Sequence, residues 1–103
     1  MPWGTWINEL PTGFFLVVHL AAFTIGASFA WLAYKRDLAL LGSAFSLFAV
    51  AELVYMTYHL DWTVFLFAHT ISEVLDLCAF VLVFAGAVVQ VLDRRPALGV
   101  SRG

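Results

Sequence analysis

The chain has 103 residues, 63% of them hydrophobic and 12% charged, with a mean hydropathy of +0.95. Soluble domains carry about twice that charged fraction, so the composition excludes an ordinary water-soluble domain and predicts an integral membrane protein with one core. A net charge of −2 argues against a nucleic-acid partner, and the single cysteine, Cys78, allows no intrachain disulfide and reads as a small buried hydrophobe.

Residues 1–12, MPWGTWINELPT, contain no lysine or arginine, so they lack the basic start of a secretory signal. Trp3 and Trp6 read instead as anchors at the membrane surface, where indole rings settle. Thr12 is the expected N-cap of a first span over residues 13–34, whose ~22 residues suffice for ~30 Å of hydrocarbon. This span contains His19. Below it on the same face lie Ala22, Gly26, Ala30 and Ala33, and the Gly26-x-x-x-Ala30 spacing lets membrane helices approach closely. That face is therefore expected to pack on protein rather than lipid.

Lys35 and Arg36 end the first span, and Asp37 is the expected cap of a second over residues 38–60. The second span holds Glu52 and His59, seven residues apart and so on one helical face, with Tyr55 and Met56 nearby. A turn around Leu60-Asp61 follows, with Asp61 as the expected N-cap of a third span over residues 62–92. At ~31 residues that span must tilt or protrude. Asp93-Arg94-Arg95-Pro96 is expected to end it, leaving a frayed tail. Lys35, Arg36, Arg94 and Arg95 then fall on one side. The positive-inside rule makes that side cytoplasmic, with the N-terminus outside and the C-terminus inside. The expected fold is one all-α domain of three transmembrane helices, placed in a bacterial or archaeal cytoplasmic membrane.

Ionisable residues within a membrane span are costly and mark candidate functional sites. On the third helix His69, Glu73 and Asp76 sit at i, i+4 and i+7, one face. With ~1.5 Å of rise per residue, His19 and His69 each lie ~10 Å from the outer ends of their helices, Glu52 ~12 Å and Glu73 ~16 Å. If three helices close a small bundle, His19, Glu52, His69 and Glu73 converge in one layer of the outer half. Imidazole and carboxylate ligands suit zinc, copper, iron or manganese. Equal depth of His19 and His69 also suits axial ligation of a tetrapyrrole, a haem or a chlorophyll. Against haem, no arginine or lysine stands near the outer face to receive its propionates.

A second reading is a proton relay in which Asp76, Glu73, His69 and His59 step from the midplane to the surface. A third is that the same groups only hydrogen-bond helices together, each bond contributing roughly 0.6–2 kcal/mol. His59, at the rim, reads alone as a solvated histidine. No Ser-His-Asp set, phosphate-binding glycine loop or nucleotide motif occurs, so a non-catalytic subunit is expected rather than an enzyme. In organisation the chain is similar to small membrane-anchor and accessory subunits of respiratory or photosynthetic complexes. The expectation is a subunit or homo-oligomer that holds a metal or tetrapyrrole for membrane electron transfer, partnered by lipid and by other membrane subunits or itself. The alternatives are a cofactor-free proton or ion conductor and a purely structural subunit.

Overall fold

The computed structural model describes residues 3–102, with side chains described for residues 3–93. A short 3-10 helix, Thr5–Glu9, precedes three α-helices: α1 (Thr12–Lys35), α2 (Ala39–His59) and α3 (Phe65–Arg102). Thr12–Lys35, Ala39–His59 and Phe65–Asp93 are each long and apolar enough to cross a membrane. At ~1.5 Å per residue the last stretch is ~44 Å long, which exceeds a ~30 Å hydrocarbon layer. Large apolar side chains cover the outside, including Trp31, Leu66, Phe80 and Phe84.

The buried residues are small. Gly26, Ala30 and Ala33 of α1 lie inside, as the close-approach spacing predicts, together with Gly42, Ala44, Ala49 and Ala51 of α2. Ala68, Ser72 and Ala79 are their counterparts on α3. Without a hydrophobic drive between helices in lipid, close approach of backbones through small residues is what gains van der Waals contact. Two glycines show how tight the approach is. A Cβ at Gly26 would stand 2.8 Å from a ring carbon of Phe48, and one at Gly42 would stand 2.9 Å from the ring of Tyr34. Each glycine is the seat of an aromatic ring from the neighbouring helix. The Tyr34 hydroxyl also bonds Ser43 Oγ at 2.9 Å.

Both α1 and α3 pack along α2, and among the described residues they make no packing contact with each other. The helices therefore form a row with α2 in the middle instead of the closed bundle the sequence suggests. The α2–α3 hairpin itself is as expected, two antiparallel neighbours joined by a short turn. Cys78, expected to be buried, is exposed on the outside of α3.

Asp37 and Asp61 do not cap the helices that follow them. Both have left-handed backbones, with φ of 62° and 63°. In the first turn Leu38 N–H donates to Ala33 O at 2.8 Å and Asp37 N–H to Tyr34 O at 3.1 Å. In the second, Trp62 N–H donates to Thr57 O at 2.9 Å and Asp61 N–H to Tyr58 O at 3.0 Å. This is the Schellman pattern, which closes a helix C-terminus around one left-handed residue. Aspartate tolerates that backbone better than most residues with a Cβ. The following helices begin later, at Ala39 and Phe65, with Leu38 as the N-cap of α2; Pro11, not Thr12, is the N-cap of α1. At the far end α3 runs past Pro96 to Arg102 instead of stopping at Asp93. A proline removes one backbone bond and kinks a helix without necessarily ending it.

Candidate functional site

α1 and α3 lie on either side of α2 without meeting. Toward the α2–α3 turn, polar side chains of α2 lie between them. Glu52, Tyr55 and His59 follow one another at three and four residues on α2, which keeps them on one helical face. α1 contributes His19 and Phe15, and α3 contributes His69 and Phe65.

His19 Nδ1 lies 2.5 Å from Glu52 Oε2, and the two side chains are 18% and 14% exposed. Which atom donates depends on the tautomer of the imidazole. His19 also stacks on Tyr55, ring centroids 5.2 Å apart, and on His59, again 5.2 Å. The Tyr55 hydroxyl reaches across to His69 Nδ1 at 3.3 Å, and His69 stacks on Phe65 at 5.2 Å. Tyr55 thus links the α1 histidine to the α3 histidine. Its place three residues after Glu52 and four before His59 was the available sequence signal, but a tyrosine there also reads as an ordinary membrane-surface aromatic.

His59, expected as a solvated rim histidine, keeps part of its surface exposed and packs the rest on aromatic rings. It is half-buried, stacked nearly parallel on Phe15 at 4.8 Å with Tyr58 at its edge. Glu73 is exposed, and among the described residues the ion pair is His19–Glu52 alone. Asp76 lies deeper along α3, where its Oδ1 is buried without a hydrogen-bond partner among the described residues. Ser72, fully buried between His69 and Asp76 in sequence, donates to the Ala51 carbonyl at 3.0 Å and ties α3 to α2.

Of the four predicted ligands, the fold brings His19 and Glu52 into contact and sets His69 on the far side of Tyr55. Among the described residues no three His, Cys, Asp or Glu side chains gather as a metal-binding group. The arrangement can hold and pass a proton. Imidazole takes up and releases protons near neutral pH, and a carboxylate bonded to it shares them. The sequence matches no protein family, and no curated protein or solved structure is significantly similar to it.

Proposed function

We propose that this chain is a membrane-embedded, non-catalytic subunit that carries protons between the outer surface and the middle of the bilayer. It spans the membrane three times with its N-terminus outside. This orientation is supported by Lys35, Arg36, Arg94 and Arg95, which three antiparallel spans place on a single side. The α2–α3 turn then faces outward, with His59 at the end of α2 beside it.

The observation that carries the reading is the His19–Glu52 bond inside an otherwise apolar span. Ionisable groups retained at such depth are expensive, and chains of Asp, Glu and His mark proton routes in membrane proteins. In this route His59 receives protons at the rim. Its ring is stacked on His19 and not hydrogen-bonded to it, so the transfer between them passes through a water or a ring rotation. His19 and Glu52 then share the proton, and Tyr55 with His69 forms a branch along α3. Asp76 is the group beyond, two helical turns past His69.

Difference infrared spectroscopy of the chain reconstituted in lipid, with the pH of the bathing solution stepped, tests this. The expected result is a carboxyl signal that responds to the step and is lost in Glu52→Gln. A carboxyl spectrum unmoved by the step, or identical in Glu52→Gln, would show that Glu52 exchanges no proton with the solution and would end the proposal.

A further inference from the structure

Past Glu52 the space along α2 changes character. Its deeper half is an apolar groove of about 470 Å³ between α1 and α3, open on its outer side and lined by Phe29, Phe45, Phe48 and the largely exposed Phe80. That volume falls among small-molecule sites, which run from about 300 to 1,000 Å³. Gly26 also lines it, and the Phe48 ring lies against that glycine where a Cβ would stand. Asp76 lines the same groove, and it is the residue whose Oδ1 is buried with no hydrogen-bond partner among the described residues.

A carboxylate held against apolar walls is costly until a partner supplies charge or hydrogen bonds. Nothing among the described side chains does so: the ion pair there is His19–Glu52, and the cation nearest a ring is Lys35, over Trp31 near the α1–α2 turn. The walls favour the same sign of partner. Aromatic rings attract cations through the negative potential of their faces, and the attraction grows when the site is dry. An acyl chain fits the groove in shape, but it leaves Asp76 unanswered.

We propose that this groove binds a lipophilic organic cation, a hydrophobic amine or onium ion, with its charge on Asp76 and its apolar groups on the four phenylalanines. The ligand reaches it sideways from the lipid, because the groove lies in the apolar span. The site depends on the groove alone and does not require the proton route to exist. If both hold, the route ends at the carboxylate that the cation occupies.

Binding of tetraphenylphosphonium to the purified full-length chain in detergent tests the site, with uncharged triphenylphosphine oxide as competitor. Saturable binding is expected, weakened about tenfold by Asp76→Asn. Phe80→Leu keeps the wall apolar but removes a ring, and is expected to weaken the cation a few-fold. Helical circular dichroism of both variants checks that they are folded. Saturable binding of the cation by a chain whose carboxyl spectrum does not respond to the pH step would leave this site standing without the proton route, so the two proposals fail separately. Absence of saturable binding, unchanged affinity in folded Asp76→Asn, or equal competition by the uncharged probe would each overturn the cation site.

Discussion

Along the α1–α2 seam two aromatic rings are seated on glycines of the opposite helix, Phe48 of α2 on Gly26 and Tyr34 of α1 on Gly42, and His19 bonds Glu52. On its α3 side the fully buried residues are Ala68 and Ser72, Ser72 donates to the Ala51 carbonyl, and near the turn Tyr55 and Tyr58 meet His69 and Phe65. The histidines differ in the same way. His19 is largely buried and 2.5 Å from a carboxylate, whereas His69 is exposed and 3.3 Å from a phenol. The first seam is built by rings seated on glycines and by the His19–Glu52 contact; the second is built by close backbones. The closest titratable contact is therefore on the α1–α2 side, whereas α3 carries His69, Glu73 and Asp76 and packs on α2 through small residues.

The contrast breaks most sharply at Gly42. Replacing it with leucine drives a side chain into the Tyr34 ring, and overpacking of this kind costs roughly 1–3 kcal/mol, occasionally more. That exceeds the ~1 kcal/mol by which a better helix former helps an isolated helix. Thermal unfolding in detergent should show Gly42→Leu as the least stable of the single variants, with the Tyr34–Ser43 bond lost.

Glu52→Ala comes next. It leaves His19 without its partner in apolar surroundings, for an expected loss of about 1–2 kcal/mol, while Glu52→Gln keeps a neutral hydrogen bond and loses less. If alanine and glutamine variants unfold together with the parent, the pair contributes nothing to the seam. Ser72→Ala has the smallest expected effect, about 0.6 kcal/mol, because the Ala51 carbonyl retains its own helical bond. A larger loss at Ser72 than at Glu52 would reverse the ranking of the two seams.

Much of this was legible in the residues. Apolar run lengths predict the three spans, the short Leu60–Asp61 connection predicts the α2–α3 contact, and Gly26-x-x-x-Ala30 predicts the packed face of α1. What escaped did so for physical reasons. Aspartate suits both an N-cap and a left-handed C-terminal position, so Asp37 and Asp61 look alike from sequence in either role. Helical periodicity tells which face of α1 is buried but not whether α3 shares it, and so could not distinguish a row from a closed bundle. That choice decides the site: in a row, His19 and His69 are joined through Tyr55 and do not face a common centre. Asp76 was legible as an ionisable residue near the midplane, but the four phenylalanines around it come from three helices and share no local pattern.

The central claim is that a proton is shared between His19 and Glu52 and exchanges with the outer surface. Nitrogen NMR of His19 in lipid bilayers reads this directly, across about pH 5 to 8 where imidazole changes charge. The account predicts that His19 Nδ1 changes protonation as the outer solution is titrated, and that Glu52→Gln displaces that transition. A His19 nitrogen signal that stays fixed over the whole range, or is the same in the parent and in Glu52→Gln, would contradict it.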